Sequence, residues 1–328
     1  MPQPVTGRID TDRPSDPTRP DIPRSARSRT RRFTHVLAVA VVSLAGFLLY
    51  RTLSRYSLDQ IVASVTAIPL SRLVFAGGFA AASYLCLTGF DALAVRYAGR
   101  PLPYRRVALA SFVSLSMGHN IGFAALSSGT IRYRFYTRWG LRPGQVAKVI
   151  LFCGITVGLG LMVLAGVALL LRPTLAQEVT GLPRPMVIGM GAACLALAMA
   201  YVVLAAMVRT PLRWRRWWLE MPSLPLALGQ ILIGSLNFAF VAACLHQTLA
   251  AVTDVPYFAV ASVYVIANAS ALVTHVPGGI GVLESVVIFL LPQGGLIGAL
   301  LVFRFVYFLV PLGLGSLTLL LFEILKRR

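Results

Sequence analysis

The sequence predicts an all-α protein, a polytopic bundle of transmembrane helices, and three observations support this fold class. Of the 328 residues, 57% are hydrophobic and only 12% are charged, whereas a soluble domain averages about 25% charged residues. Long uncharged runs rich in Ala, Leu, Val and Gly follow one another along the chain, and about 20 apolar residues suffice to cross a bilayer as a helix. No strand-like alternation of polar and apolar residues interrupts them. We therefore do not expect a soluble enzyme.

The chain divides into a tail and a membrane domain. Residues 1–32 are rich in Pro, Asp, Ser and Arg and predict a disordered, basic, cytoplasmic tail. Residues 33–325 form a single predicted transmembrane domain, and residues 326–328 a short cytoplasmic C-terminus. The first span is predicted at Phe33–Tyr50. The uncharged windows that follow it are Leu73–Phe90, Val107–Ile131, Val149–Leu171, Pro185–Val208, Met221–Thr253, Val255–Leu283, Ser285–Phe303 and Phe305–Phe322.

Basic residues predict the orientation in the membrane. The chain carries 30 Lys and Arg against 11 Asp and Glu, and cytoplasmic loops concentrate such positive charge. Arginines precede the first span and Lys326-Arg327-Arg328 close the chain, so both termini are predicted to be cytoplasmic in a multi-pass protein of the inner (cytoplasmic) membrane. The apolar runs leave no fold to present a basic face to nucleic acid. The expected partner of the positive charge is anionic phospholipid.

Two windows are predicted to fold back instead of crossing once. Val107–Ile131 has a basic cluster on each side and Gly and Asn at its middle, which predicts a re-entrant pair at about 107–127. Residues 257–291 contain the break His275–Gly281 between two apolar arms. Broken backbone at membrane depth persists only where it lines a cavity or is buried in protein. The prediction is about six full spans plus two broken pairs, or eight spans if the pairs cross.

The two broken pairs share a short sequence similarity. Ala108–Ser111 resembles Ala259–Ser262. Opposed broken helices in two halves are typical of inverted-repeat transporters, but Ala- and Ser-rich membrane helices also resemble one another by chance. Both interpretations stay open at this point.

Three charged residues lie inside the apolar runs: Asp91, Glu284 and Arg304. Each costs on the order of 2.5–3.5 kcal/mol at the membrane centre, so each needs a partner. One interpretation is a buried ion pair that fixes helix packing, for example Glu284 with Arg304. The other is contact with a polar substrate, because a helix that begins after Gly278-Gly279 points a positive dipole end at an anion, and an arginine binds phosphate through two hydrogen bonds.

Other sites are weaker or absent. Arg132 and Arg134 follow Ser127–Thr130, and they are interpreted either as an ordinary basic loop or as phosphate ligands. The four cysteines and four histidines lack metal-ligand or redox spacing. No glycine-rich loop with Lys indicates ATP binding. Neither a cofactor nor a metal is predicted.

The chain resembles the lysylphosphatidylglycerol synthase transmembrane-region family, the flippase part of the multiple peptide resistance factor. Ser127–Leu141 resembles the Ser-Gly-Gly-x-x-Arg-Tyr-Arg stretch of that family, although Ser128 replaces a common glycine. His275–Glu284 and Arg304–Pro311 resemble its second and third signatures. Asp91 stands where the family tends to carry an acidic residue. The resemblance extends over about residues 35–325.

The resemblance implies a membrane lipid flippase for a phosphate-bearing lipid, with aminoacylated phosphatidylglycerol as the first candidate. It implies lipid-headgroup and phosphate binding by Arg132, Arg134, Gly278, Gly279 and Arg304, and an acidic headgroup or proton site at Asp91 and Glu284. The synthase continues into a soluble aminoacyl-transfer domain that has no counterpart here. We therefore expect a stand-alone version without enzyme activity.

Two alternative functions are kept open. One is transport of a different lipid, such as a polyprenyl-linked sugar or a hopanoid. The other is a non-transporting membrane scaffold for a lipid-modifying enzyme that is encoded nearby. A neighbouring aminoacyltransferase would favour the first candidate lipid, and a glycosyltransferase or terpene cyclase would favour another.

Overall fold

The computed structural model describes residues 58–121, 124–208, 212–214, 217–274, 281–291 and 296–325. The predicted tail 1–32, the first span at Phe33–Tyr50 and the C-terminus 326–328 lie outside these residues. The helices within the described ranges are α1 (Leu58–Ala67), α2 (Leu70–Tyr97), α3 (Tyr104–Ile121), α4 (Ala124–Arg138), α5 (Pro143–Leu171), α6 (Pro173–Thr180), α7 (Arg184–Met207), α8 (Leu224–Leu249), α9 (Tyr257–Thr274), α10 (Val282–Leu290), α11 (Leu296–Arg304) and α12 (Val310–Leu325). A π-helical segment, Phe305–Leu309, joins α11 to α12.

Five stretches of described helix are long and apolar enough to cross a membrane: α2, α5, α7, α8 and the continuous helix Leu296–Leu325. They have 24 to 30 residues, and about 20 residues cross the hydrocarbon core. Helix α7 exposes many large apolar side chains, among them Leu197 and Met199. Apolar surface of that extent is stable against lipid. The protein is thus a polytopic helical membrane protein, as predicted.

The sequence had indicated no strands, but one short antiparallel ribbon is present. Strands β1 (Leu212–Trp214) and β2 (Trp217–Leu219) pair between α7 and α8. Each strand has only three residues, too short to give the alternating pattern by which a strand is recognised in a sequence. The fold class is unchanged.

The boundary between α4 and α5 shows how local sequence ends one helix and begins the next. Gly140 adopts a positive φ of 90°, Leu141 N donates to the carbonyl of Tyr136, and Gly140 N donates to that of Thr137. This pattern is a Schellman motif. Pro143 then stands at the first position of α5, where its missing N–H costs nothing.

Residues 104–138 form a helical hairpin, hairpin 1, from α3 and α4. Ser111 on α3 and Arg132 on α4 both donate hydrogen bonds to Asp91 of α2. Since the two donors are 21 positions apart in the sequence and reach one carboxylate, the chain between them must fold back. A fold-back is therefore present, but the predicted bounds 107–127 were wrong, because the second arm begins at Ala124 and continues to Arg138. The membrane side at which it opens stays a prediction.

Helices α9 and α10 contact each other, and this pair of helices is called hairpin 2. The predicted break covers residues that are not described up to Gly281, where φ is +88° and α10 begins. The order of a span, a hairpin and a span thus occurs twice, as α2, hairpin 1, α5 and as α8, hairpin 2, Leu296–Leu325. Both hairpins begin with an arm of 18 residues.

The last two uncharged windows do not correspond to separate helices. The window Ser285–Phe303 includes parts of two helices, because α10 ends at Leu290 and α11 begins at Leu296. The sequence Pro-Gln-Gly-Gly between them disfavours helix. Arg304, which separates the windows in the sequence, lies inside one helix that continues to Leu325. The charge does not end the helix because it is paired, as described below.

Close helix packing at the centre depends on two glycines. Gly160 of α5 faces Gly234 of α8, and a Cβ added to Gly160 would lie 2.4 Å from the backbone carbonyl of Gly234. Small residues allow such close approach between membrane helices. A larger residue at this point must push the two backbones apart.

We expect Gly160→Ala to destabilise the protein by about 1–3 kcal/mol, because the clash is with backbone and cannot be relieved by a rotamer change. Gly158→Ala, on the same helix with no neighbouring atom within 4 Å, is the matched control, and it should be neutral or slightly stabilising since alanine is the better helix former. Thermal unfolding in detergent measures both. Equal melting temperatures for the two variants would contradict the close packing of α5 on α8.

Candidate functional site

The first cluster of buried polar groups surrounds Asp91 on α2. The Arg132 guanidinium donates to both carboxylate oxygens, Nε at 2.8 Å and Nη2 at 2.7 Å. Ser111 Oγ donates at 2.8 Å and Tyr136 OH at 2.7 Å. Asp91 is fully buried and Arg132 is 3% exposed. Four hydrogen bonds to one carboxylate give the charge the partners that burial in an apolar bundle demands.

Helix α4 supplies most of this cluster through its periodicity. Ser128, Arg132 and Tyr136 are spaced by four residues, and residues at that spacing share one face of a helix. Ser128 Oγ accepts a hydrogen bond of 3.0 Å from Arg132 Nη1, so a serine is useful at the position where the resemblance expects glycine. The face of α4 that turns inward is thus built to hold Arg132 against Asp91.

The second cluster joins hairpin 2 to the span Leu296–Leu325. Arg304 donates to Glu284 through Nε and through Nη2, the latter at 2.8 Å. Glu284 also accepts a hydrogen bond of 2.9 Å from Gly281 N at the beginning of α10. The Arg304 guanidinium carbon lies 5.5 Å from the centre of the Phe308 ring. Arg304 is 5% exposed, so this too is a buried ion pair.

A π-helical segment follows Arg304 directly. At its end Val310 N donates to Phe305 O, five residues back. Pro311 has no N–H to donate to Tyr307 O, and Tyr84 OH donates to that carbonyl at 3.4 Å. The proline therefore removes the donor that an α-helix would supply to this carbonyl, and a side chain from α2 donates to it. Such π-bulges occur frequently at functional sites.

Further polar side chains lie between the two ion pairs and are called here the polar row: Ser83, Asn237, Tyr307 and His119. Ser83 Oγ lies 2.8 Å from Asn237 Oδ1 and 2.9 Å from Tyr307 OH. The His119 ring stacks on Tyr307. His119 Nδ1 has no hydrogen-bond partner among the described residues. The polar row brings α2, α3, α8 and the last span together.

The depths of the two ion pairs follow from the helix rise of 1.5 Å per residue. Asp91 is eight residues beyond Ser83, or roughly 12 Å along α2. Glu323, near the end of the last span, binds Arg134 close to Arg132, so that span runs parallel to α2. Arg304 therefore lies beyond Tyr307 as seen from Asp91. The two pairs are roughly 16 Å apart along the bundle, about half of a hydrocarbon core.

The structure brings together four of the predicted site residues as two pairs, Asp91 with Arg132 and Glu284 with Arg304. It does not bring Arg134 to either pair, because its Nη2 binds Glu323 at 2.7 Å. Gly278 and Gly279 lie outside the described residues. Within the described ranges, no group of three His, Cys, Asp or Glu side chains could hold a metal ion.

Sequence reasoning missed the polar row. Its residues are single Ser, Asn, Tyr and His side chains in apolar helices, and none has a motif spacing. One signal was present: Ser83 and Asp91 are eight residues apart, which places both on one side of α2. Only the packing of α2 against the last span identifies Tyr307 and His119 as neighbours.

Comparison with known proteins gives two similar chains. An uncharacterized protein of Synechocystis sp. is 31% identical over 282 residues, which are 84% of this chain and 87% of the relative. The inner membrane protein YbhN of Escherichia coli is 30% identical over 258 residues, 76% of this chain and 80% of the relative. No known family model matches the chain.

Proposed function

This chain belongs to the family of the inner membrane protein YbhN, and on that premise we propose that it is a lipid translocase of the inner membrane. The proposed cargo is a lipid with a phosphate-bearing headgroup. The polytopic fold supports a site within the membrane, and the relative's name supports the location.

The observation that carries this proposal is the pair of buried ion pairs at two depths, with the polar row between them. Each pair joins the second arm of a hairpin to a long span, Arg132 to Asp91 and Glu284 to Arg304. Ionisable groups are costly inside a membrane and typically mark a pathway for polar cargo. A headgroup that moves across the bilayer needs polar partners at successive depths, and these groups supply them.

The chemistry of the Glu284–Arg304 pair suits a phosphate in exchange. The Glu284 carboxylate accepts two hydrogen bonds from the Arg304 guanidinium, and a phosphate group can accept the same two bonds. A phosphate that replaces the carboxylate keeps Arg304 paired, so the exchange avoids leaving an unpaired buried charge. The carboxylate released in this step then faces the amino group of the headgroup or takes up a proton.

The other predicted site residues take positions along the same route in this proposal. Asp91 and Arg132 are the second exchange site. Arg134, which is partly exposed beside Glu323, is the first phosphate contact at the end of the bundle that is predicted to be cytoplasmic. Gly278 and Gly279 lie outside the described residues, and their contact with the phosphate stays a prediction from the sequence.

Aminoacylated phosphatidylglycerol carries both a phosphate and an amino group, so it matches an arginine with a neighbouring carboxylate. A polyprenyl-linked sugar would use the phosphate contacts alone, and a hopanoid would use neither arginine nor carboxylate in this way. A second function, the membrane scaffold, is favoured by one observation: all four buried charges are already paired with each other. A scaffold needs these ion pairs only to hold its helices together.

Reconstitution in liposomes tests the proposal. The purified protein is placed in vesicles with fluorescent phosphatidylglycerol or lysyl-phosphatidylglycerol, and a membrane-impermeant quencher is added outside. We expect the label on the inner leaflet to become accessible to the quencher, since the protein moves it outward. An unrelated polytopic protein at the same protein-to-lipid ratio is the control. If no phosphate-bearing lipid in a panel moves faster than in that control, the scaffold is the better interpretation.

A further inference from the structure

A cavity of about 500 Å³ lies at the end of the bundle where α3 begins and where α4 and α12 end. It is separate from both ion pairs and from the polar row. The side chains that line it are Arg105, Arg106, Leu109, Trp139, Phe322 and Leu325. Its two arginines and four largely apolar side chains distinguish this cavity from the ion pairs and the polar row.

The cavity carries positive charge that the described part of the chain does not neutralise. Arg105 and Arg106 are exposed, and neither forms an ion pair with another described residue. Glu323, the acidic side chain of α12, is already bound by Arg134 at 2.7 Å and lies 3.8 Å from Arg138. The two arginines therefore suit an anion from outside the protein.

The walls of the cavity are apolar. Leu109, Phe322 and Leu325 form its apolar side, and the Arg106 guanidinium carbon lies 6.0 Å from the centre of the Trp139 ring. Tryptophan beside arginine is typical of the level of the lipid headgroups. A free phosphate ion would use only the arginines and leave this apolar surface uncovered.

We propose that this cavity binds one anionic phospholipid of the adjacent leaflet. The headgroup phosphate contacts Arg105 and Arg106, and an acyl chain lies along Leu109, Phe322 and Leu325. This site is independent of lipid translocation, because it uses none of the residues in the proposed route and holds equally for a scaffold.

Fluorescence of Trp139 tests the proposal directly. The sequence has four tryptophans, so Trp214, Trp217 and Trp218 are first replaced by Phe to leave Trp139 alone. The protein is reconstituted in phosphatidylcholine vesicles that contain a small fraction of brominated lipid, which quenches tryptophan on contact. We expect brominated phosphatidylglycerol to quench Trp139 at a much lower fraction than brominated phosphatidylcholine does.

In Arg105→Gln/Arg106→Gln this preference for phosphatidylglycerol should fall by about thirtyfold, since two basic residues that each contribute about 1 kcal/mol of attraction are removed. The matched control is Arg96→Gln/Arg142→Gln, which removes the same charge from exposed residues outside the cavity. These lie at the same end of the bundle, because Gln145 joins α5 to Ala98 by a hydrogen bond of 3.1 Å. The control should keep the preference.

Three outcomes would overturn the site. The first is equal quenching by the two brominated lipids in the parent protein. The second is a control that loses the preference as fully as the Arg105/Arg106 variant. The third is loss of quenching in millimolar inorganic phosphate, which would assign the arginines to a free anion. A monodisperse elution profile and an unchanged Trp139 emission maximum in detergent establish that each variant is folded.

Discussion

Asp91→Asn is expected to destabilise the protein by about 3–5 kcal/mol, because it leaves the Arg132 guanidinium buried without its counter-charge. The amide also introduces an N–H₂ donor where Arg132, Ser111 and Tyr136 all donate to Asp91. Two donors facing each other without water cannot be satisfied, which adds to the cost. Hairpin 1 is the element affected, since three of the four hydrogen bonds to Asp91 come from α4.

The double variant Asp91→Asn/Arg132→Met separates the charge from the packing. With the arginine removed, no unpaired charge remains, and most of the lost stability should return. Glu220→Gln is the surface control, because the Lys148–Glu220 pair is partly exposed and such pairs contribute about 0–1 kcal/mol. Unfolding by SDS titration in mixed micelles measures all three. An Asp91→Asn protein as stable as Glu220→Gln would show that the pair does not hold hairpin 1.

The fold could be predicted from the sequence wherever hydrophobicity alone determines it. Four of the uncharged windows overlap the long spans α2, α5, α7 and α8, and their ends agree to within seven residues. The fold-back of hairpin 1 was also predictable, because two basic clusters cannot lie on one side of the membrane if the window between them crosses once.

Hydrophobicity alone placed two helix boundaries wrongly, both of them next to a charged residue. The window that ends at Phe90 stops before Asp91, yet α2 continues to Tyr97. The boundary between the last two windows at Arg304 likewise lies within one helix. In both cases the charge is neutralised by a side chain from another helix, so the backbone continues. The partners are 41 positions apart for Asp91 and 20 for Glu284, and only the tertiary fold specifies them.

The Glu284–Arg304 pair is where transport and scaffolding differ in their expected results. Glu284→Gln and Arg304→Met each leave one buried polar or charged group without its partner, and each should lower stability by about 3–5 kcal/mol. Glu284→Gln/Arg304→Met removes both charges, so this protein should fold nearly as well as the wild type. Stability alone therefore cannot distinguish the two functions.

Lipid movement does distinguish them. If Arg304 receives the phosphate and Glu284 the amino group or a proton, the folded double variant has neither contact, and movement of the fluorescent lipid should fall to the protein-free rate. Lys148→Met/Glu220→Gln, the same chemical change at a partly exposed pair outside the route, should move lipid at the wild-type rate. A monodisperse double variant that moves lipid as fast as the wild type would exclude Glu284 and Arg304 from transport, because the pair would then contribute only to the packing of hairpin 2 on the last span.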